Sequence, residues 1–302
     1  MIFAEGFRDY KKRVSGHSHA SLAVTDAYGT VKTETSAAAI KHGVEFTLDG
    51  RQLEDQRTAG VYSMVKDMVS LAVEETGVRV ESVNHNILTG SSDSGAAALV
   101  TALDDLLELN LPVWRMVELA RPVSETAYRS LVGGLSEYII DGEGNVMTAE
   151  VKKASFFSDV MIYAVPFELK RFSADDLHMR VAQHPMYGGR ATQVDVRLRM
   201  MHEFLDNRDI PEFMELMESE ARTVHAMFGD MGMEVIKPEM KALLDLVEDM
   251  RSRGISAYWN VAGGSAVYVF TLRRWAKEVT RELKDRNLKY KHYKVAEGAK
   301  AV

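Results

Sequence analysis

A loop of small polar residues leads directly into an apolar helix pattern. The run GSSDSG at residues 90–95 is followed by apolar residues at helical spacing up to about Leu107. The start of a helix leaves backbone N–H groups unpaired, and the helix dipole adds positive potential there, so this junction could bind phosphate. The lysine of the usual nucleotide-binding P-loop is missing. An ordinary core helix capped by Ser92 or Asp93 would explain the same residues.

A second candidate is a basic segment near the amino terminus. It combines cations, two histidines and short hydroxyl groups, namely Arg8, Lys11, Lys12, Arg13, Ser15, His17, Ser18 and His19. Such side chains could hold an anion through charge-assisted hydrogen bonds. Charge runs also form solvated surfaces, and the sequence leaves both interpretations open.

A third candidate is Arg129, which precedes a glycine pair. Gly133-Gly134 follows it by one helical turn, and such a pair should end a helix and allow another backbone to approach closely. An arginine in this place could hold a carboxylate through two parallel hydrogen bonds. It could also be a surface residue on a short helix.

Composition limits the classes of function. The 302 residues are 46% hydrophobic and 27% charged, which indicates a globular protein of one large or two modest domains. A net charge of −7 argues against a general nucleic-acid binder. No apolar run of about 18 residues occurs, and the first residues carry charges, so we expect a cytoplasmic protein without a membrane partner. The absence of cysteine excludes disulfides and thiolate chemistry.

Hydrophobic periodicity predicts an α+β protein of two lobes, residues 1–158 and 159–302, with a ligand cleft between them. Predicted strands cover residues 20–26, 30–35, 44–48, 78–83, 135–140, 146–151, 160–165, 177–181 and 288–295, and two more flank a Gly-Gly turn within 256–271. Asp49-Gly50 predicts a hairpin. Predicted helices cover residues 54–76, 96–107, 114–120, 190–207, 211–228, 238–253 and 273–286, and we expect their methionines to fill the core.

Three stretches resemble, in the same order, the diphosphomevalonate decarboxylase branch of the GHMP kinase superfamily. Residues 88–99 are similar to its glycine- and serine-rich loop. Residues 124–134 are similar to its S-x-x-A-x-R-S-L-x-G-G pattern, which makes Arg129 the substrate arginine. Residues 257–267 resemble its last strand and glycine turn, and residues 6–9 and 21–25 match its substrate-binding segment weakly. The resemblance implies the two-lobed GHMP fold, with an N-terminal lobe like ribosomal protein S5 and a ferredoxin-like helical C-terminal lobe, and a homodimer.

The chain departs from this pattern at three positions. The aspartate that family members carry before the last glycine turn is replaced by Val261 or Ala262. Phe7 stands where a lysine is expected. Asp93 occupies the place of an alanine in the phosphate loop, where a carboxylate would repel phosphate unless something neutralises it.

Two archaeal variants of the family, both from a modified mevalonate pathway, would account for these departures. Mevalonate 3-kinase phosphorylates the 3-hydroxyl group, whereas mevalonate 3,5-bisphosphate decarboxylase expels a phosphate already present. The basic segment favours the decarboxylase, because a bisphosphate carries about four phosphate charges in addition to its carboxylate. We therefore predict an ATP-independent decarboxylase of the mevalonate pathway of isoprenoid biosynthesis, which forms isopentenyl phosphate. The alternatives are the 3-kinase with Mg-ATP and a non-catalytic family member that binds an isoprenoid or a nucleotide.

The predicted site follows from this choice. Arg129 is the catalytic residue that holds the carboxylate. The loop residues Ser91, Ser92, Asp93 and Ser94 would bind the 3-phosphate. Lys11, Lys12 and His19 would bind the 5-phosphate together with Ser124, and Arg8 and Ser21 would complete the substrate site. The decarboxylase needs no cofactor, no metal is expected, and the partner is phosphorylated mevalonate rather than nucleic acid.

Overall fold

The computed structural model describes residues 2–53, 57–73 and 76–302. Its helices are α1 (Thr58–Val69), α2 (Ser91–Leu106), α3 (Val113–Ala120), α4 (Tyr128–Val132), α5 (Ala174–Val181), α6 (Arg190–Asp206), α7 (Ile210–Asp230), α8 (Pro238–Ser252) and α9 (Ala276–Asp285). Its strands are β1 (Phe7–Asp9), β2 (Val14–Ser15), β3 (His19–Leu22), β4 (Val24–Asp26), β5 (Lys32–Ile40), β6 (Val44–Leu48), β7 (Arg51–Gln52), β8 (Gly77–His85), β9 (Leu135–Ile140), β10 (Val146–Lys152), β11 (Val160–Pro166), β12 (Ala257–Val261), β13 (Ala266–Leu272) and β14 (Lys291–Val295).

The strands form one mixed sheet and otherwise antiparallel sheets, packed against helices, which confirms the predicted α+β class. The sheet orders are β5-β8-β6-β7, β10-β9-β3 and β12-β13-β11-β14-β4, and β1 pairs with β2 as a separate hairpin. Strand β6 runs parallel to β8 and forms the hairpin predicted at Asp49-Gly50 with β7. The predicted lobe boundary at residue 158 remains a prediction.

The strand predicted over residues 20–26 is divided between two sheets. Strand β3 pairs with β9, whereas β4 pairs with β14 at the edge of the five-stranded sheet. Ala23 lies at the division, where its N–H donates to Gly134 O at 2.9 Å and its carbonyl accepts from Ala296 N at 2.9 Å. This crossing ties the amino-terminal half of the chain to its carboxyl-terminal strand.

Residues 177–181 are helical, so the strand predicted there is wrong. They complete α5, which Ser173 caps by accepting a hydrogen bond from Asp176 N. Two aspartates in its first turn also favour the helix through the helix dipole. A hydrophobic pattern of only five residues fits both a helix and a strand, and here the helix cap at Ser173 favours the helix. The helix predicted over 54–76 is seen as α1, and residues 54–56, 74 and 75 lie outside the described part of the chain.

The core consists of apolar residues on the inner faces of these helices and sheets. Helix α2 packs against the α1, α3 and β8 side chains, with Leu99, Val100 and Leu103 buried. The methionines of α7 and α8 that face β12 and β13 are buried, as the core-filling prediction requires. Across the described residues, no helix combines the length and apolarity needed to cross a membrane.

Candidate active site

A cavity of about 1270 Å³ lies where both halves of the chain meet. Its wall includes the start of α2, the segment that carries Arg129, the glycine turn after β12 and the carboxyl-terminal tail. The stretches that carried the sequence resemblance therefore face one space. Of the predicted site residues, it is lined by Ser21, Ser92, Asp93, Ser94, Ser124 and Arg129.

The phosphate loop has the backbone that the sequence suggested. Gly90 adopts the left-handed conformation at φ +79°, and α2 begins at the next residue. Neither Ser92 nor Asp93 caps the helix with its side chain, so the capped-helix interpretation is wrong. Ser94 Oγ instead lies 2.7 Å from Thr33 Oγ1 and donates to Gly90 O. The start of α2 thus keeps its N–H groups and dipole directed at the cavity.

Asp93 is turned away from the phosphate position and into the protein. Its side chain is buried, and its Oδ1 accepts hydrogen bonds from Ser124 Oγ at 2.5 Å and Thr126 Oγ1 at 2.6 Å. Its Oδ2 lies 3.1 Å from Arg129 Nε. This ion pair neutralises the carboxylate, so the repulsion expected from the sequence is removed.

Arg129 lies at the start of α4, with 33% of its side chain exposed. Its Nε also donates to Thr126 O at 3.2 Å, and its Nη1 lies 3.5 Å from Ser21 Oγ. The guanidinium is thus held on its Nε side and open to the cavity. Such an edge can hold a carboxylate.

The predicted close approach at Gly133-Gly134 is confirmed. A Cβ on Gly133 would lie 2.1 Å from Gly298 N, and a Cβ on Gly298 would lie 2.3 Å from Leu131 O. Ala299 N also donates to Ser130 O at 2.8 Å. Residues 296–300, which we call the carboxyl-terminal strap, therefore fix the segment after Arg129 and form part of the cavity wall.

The amino-terminal cations do not join this site. Residues 10–13 form the turn of the β1–β2 hairpin, which directs Arg8 and Lys12 to a separate pocket of about 450 Å³ beside Trp114. Arg8 donates there from Nη1 to Asp141 O and from Nη2 to Gly142 O, at 3.2 and 2.8 Å. Lys11 is exposed and lines neither pocket. The expectation that these cations and Arg129 share one anion site is wrong, because the hairpin separates them.

His19 also lies outside the cavity wall. It is fully buried, with its ring stacked on Tyr138 at 4.5 Å between centroids. Burial, with a smaller contribution from His17, lowers the pKa of His19 to about 3, so the ring is neutral near pH 7. A neutral ring behind the wall cannot balance phosphate charge. Ser91, the other predicted residue outside the wall, is exposed at the start of α2.

A buried ion cluster that sequence reasoning missed borders the cavity. Glu125 Oε2 lies 2.6 Å from Arg13 Nη2, and Glu125 Oε1 lies 3.2 Å from His178 Nε2. Burial raises the pKa of Glu125, but His178 and two arginines outweigh this and hold it well below its ordinary value. Glu125 follows Ser124 in the arginine motif, which was the available signal. Nothing in the sequence connects it with His178 on α5.

The glycine turn after β12 presents no carboxylate to the cavity. Asn260, Ala262 and Gly263 line the wall there, and Ser265 Oγ donates to Leu88 O at 2.5 Å. This bond joins the turn to the phosphate loop. The position that carries an aspartate in the family, Val261 or Ala262 here, therefore lies next to the phosphate loop but is apolar, as the sequence indicated.

The fold and this loop–arginine cavity define a GHMP-type small-molecule enzyme. Residues 2–149 match the diphosphomevalonate decarboxylase-like N-terminal domain, and residues 173–279 match the mevalonate-3-kinase C-terminal domain. The chain belongs to the diphosphomevalonate decarboxylase-like family of the GHMP superfamily, whose members compared here are enzymes of mevalonate metabolism.

The most similar relatives include two archaeal kinases. Mevalonate 3-kinase of Thermoplasma acidophilum is 30% identical over 89% of this chain and 84% of that protein. Mevalonate-3-kinase of Picrophilus torridus is 28% identical over 94% and 89%. Phosphomevalonate decarboxylase of Haloferax volcanii is 23% identical over 94% and 89%.

Solved structures show the same fold. The mevalonate-bound T. acidophilum 3-kinase superposes with a TM-score of 0.90 at 26% identity, over 99% of this chain and 94% of that one. Its complex with mevalonate 3-phosphate and ADP gives 0.89 over the same shares. Mevalonate diphosphate decarboxylase of Staphylococcus aureus gives 0.86 at 18% identity, over 98% and 93%.

Proposed function

We propose that this protein is an ATP-dependent kinase that transfers a phosphoryl group to the 3-hydroxyl of mevalonate. The observation that carries the proposal is the separation of the cations Arg8, Lys11 and Lys12 from the cavity that holds Arg129. The sequence favoured the decarboxylase only because these cations could hold a second phosphate. Because these cations lie outside the cavity, the kinase is now preferred to the decarboxylase.

The charge at Arg129 fits a single carboxylate. The wall also includes Lys32, Arg57, Arg273, Lys294 and Lys300, which suit the phosphates of a nucleotide. The carboxylates Glu5 and Glu125 in the wall are already paired with arginines and histidines. Mevalonate ends in a neutral 5-hydroxyl group, which needs no further cation.

The size of the cavity fits two ligands. Sites for one drug-sized molecule measure about 300–1000 Å³. The cavity here measures about 1270 Å³, which leaves room for a nucleotide beside a six-carbon acid. The first turn of α2 follows a left-handed glycine and directs its dipole at that space, which suits a triphosphate.

The proposed reaction depends on positioning. Mg-ATP would supply the phosphoryl group: the bond between the γ-phosphorus and the bridging oxygen breaks, ADP leaves, and the 3-hydroxyl proton passes to solvent. The transition state of such a transfer is loose, so little covalent chemistry is required of the protein. Arg129 would hold the carboxylate, so that the 3-hydroxyl lies between it and the phosphate loop. Asp93 accepts bonds on both oxygens and is an anchor rather than a base. The names of the two archaeal relatives support the same reaction.

A second candidate is decarboxylation of a phosphorylated mevalonate. Val261 and Ala262 leave the family's aspartate position without a carboxylate, and a reaction that only expels phosphate needs no group to take a hydroxyl proton. The H. volcanii relative bears the name of such an activity. The homodimer and the cytoplasmic location remain predictions.

One paired assay separates these activities. Purified protein receives mevalonate with Mg-ATP in one tube and mevalonate 3,5-bisphosphate without nucleotide in another, and both ADP and carbon dioxide are measured. We expect ADP in the first tube and no gas in either. Carbon dioxide in the second tube would establish the decarboxylase instead. Neither ADP nor carbon dioxide in either tube would indicate a binding protein. Arg129→Gln serves as the impaired variant, and Arg115→Gln, which removes a similarly half-exposed arginine paired with Glu118 on α3, is the matched control.

A further inference from the structure

Asp93 introduces a buried charge that phosphate binding does not require. We propose that Asp93 is a positioning residue that sets the direction of the Arg129 guanidinium and thereby the place of the substrate carboxylate. The proposal rests on the proposed function, because it takes mevalonate as the acid that Arg129 holds.

Both oxygens of Asp93 have assigned partners. Oδ1 receives the hydroxyl groups of Ser124 and Thr126 at 2.5 and 2.6 Å, and Oδ2 faces Arg129 Nε at 3.1 Å. Only 5% of the residue is exposed. The two hydroxyl groups fix the plane of the carboxylate, and the carboxylate fixes the Nε edge of the arginine.

The contacts at Nε of Arg129 determine the direction of its terminal nitrogens. An arginine side chain has many rotamers, and a free one would lose entropy when it binds a ligand. Here Asp93 Oδ2 and Thr126 O, 3.2 Å away, both hold Nε of Arg129. The terminal nitrogens have one long contact, from Nη1 to Ser21 Oγ at 3.5 Å, and Arg129 lines the cavity. Two such nitrogens suit parallel hydrogen bonds to a carboxylate.

Asp93 also belongs to the first turn of α2, where the phosphates would bind. One residue thus connects the phosphate loop with the acid-binding arginine. The distance between the carboxylate and the transferred phosphoryl group is then set by a single rigid contact, and errors of about 1 Å in such a distance reduce turnover strongly.

Asparagine cannot replace Asp93 in this arrangement. If its amide oxygen keeps the bonds from Ser124 and Thr126, its NH₂ group takes the place of Oδ2. Two donors, this NH₂ and the Nε–H of Arg129, would then face each other in a buried place. If the amide is turned round, its NH₂ donates to the two hydroxyl groups and only a neutral oxygen faces Nε. In either orientation the charged contact with Arg129 is lost, although the shape of the side chain is preserved.

A double-mutant cycle tests the proposal. Mevalonate binding is measured by calorimetry for the wild type, Asp93→Asn, Arg129→Gln and the double variant. We expect Asp93→Asn to weaken binding about 10- to 100-fold in the wild type and less than about 2-fold when Arg129 is already glutamine. Asp105→Asn, an exposed change on the same helix, is the matched control and should bind like the wild type.

Equal losses in both backgrounds, or no loss in either, would overturn the positioning role. Should Asp93→Asn fail to fold, Thr126→Val removes one donor to Asp93 and should give a smaller loss with the same dependence on Arg129. Mevalonate binding without ADP formation in the wild type would contradict the proposed kinase activity, while the cycle would still decide the role of Asp93. A wild type that does not bind mevalonate would overturn both proposals.

Discussion

Two arginines in this molecule have opposite surroundings. Arg190 is fully buried between Glu5 and Glu220, and the carboxylates engage its Nε, Nη1 and Nη2. Arg129 is held mainly on its Nε side, by Asp93 and Thr126 O, and keeps 33% of its side chain exposed. The first arginine has no edge left for a ligand, whereas the second has one. The comparison teaches that the open edge, rather than the residue type, marks the binding arginine.

The closed cluster joins distant parts of the chain. Glu5 precedes β1, whereas Arg190 and Glu220 lie on α6 and α7. Burial raises the pKa of Glu5, but His17 and Arg190 together outweigh this effect and lower it. Tyr187 adds a contact by donating to Glu5 O at 2.9 Å. This cluster therefore connects the amino-terminal segment with α6 and α7 within the chain.

The largest effect is expected from opening the closed cluster. Arg190→Met would remove the cation that buried Glu5 and Glu220 share and leave them only His17 and Arg197, so it should lower the free energy of unfolding by about 3–5 kcal/mol. Urea unfolding measures this change. Arg199→Met, an exposed change on the same helix, should leave the stability near that of the wild type. Equal stability of the two variants would contradict the structural role of Arg190.

The open arginine should affect activity rather than stability. Arg129→Gln removes the group that would hold the carboxylate, and we expect kcat/KM for mevalonate to fall about 100-fold. The unfolding midpoint should fall less than for Arg190→Met, because the Arg129 side chain is partly exposed and buried Asp93 keeps two hydroxyl donors. Steady-state kinetics and thermal unfolding of the same preparation check both parts. A large loss of stability with full residual activity would reverse the assignment of the two arginines.

Local motifs allowed part of the site to be predicted from the sequence. The loop before α2, Arg129 and the glycine pair are each defined by neighbours in sequence, and the fold brings them together. The position of Lys12 could not be predicted, because it depends on the direction of a two-stranded hairpin. Asp93 was expected to repel phosphate, since its partners Ser124 and Thr126 are distant in sequence. The roles of the predicted site residues remain predictions until binding is measured.

Buried neutral histidines should make the protein sensitive to acid. Burial lowers the pKa of His225 to about 4 and that of His19, beside the cavity, to about 3. Between these values and about pH 6.5 the unfolded chain binds protons that the folded chain does not, so stability falls as pH falls. From pH 7 to pH 5 each ring should contribute a loss of about 2 kcal/mol.

Unfolding of the wild type, His225→Asn and the exposed control His42→Asn at both pH values tests this. The His225 variant should lose less stability than the wild type, and the control should behave like it. An unchanged loss in His225→Asn would show that the ring is not held neutral.

The carboxyl-terminal strap offers a smaller test of how Arg129 is held. A Cβ at Gly298 would lie 2.3 Å from Leu131 O, so Gly298→Ala must displace the strap or the segment after Arg129. We expect kcat/KM for mevalonate to fall about tenfold. Gly142→Ala, where a Cβ meets nothing within 4 Å, should have no effect. Equal activity of both variants would show that the strap is not part of the site.

The smallest effect is expected at the hairpin. Changing Lys11 and Lys12 together to alanine should alter KM for mevalonate by less than about 2-fold, because exposed charges outside the cavity are screened by salt. Steady-state kinetics at physiological salt provides the measurement. A tenfold rise in KM would show that the hairpin folds back onto the substrate and would restore the bisphosphate interpretation.

The central claim is that a single cavity holds the acid on Arg129 and the nucleotide at the start of α2. A crystal structure with mevalonate and a non-hydrolysable ATP analogue tests it most directly. The account predicts the mevalonate carboxylate within hydrogen-bond distance of the Arg129 terminal nitrogens, and the 3-hydroxyl facing the γ-phosphate at the first turn of α2. A carboxylate bound away from Arg129, or a nucleotide bound outside the cavity, would contradict it.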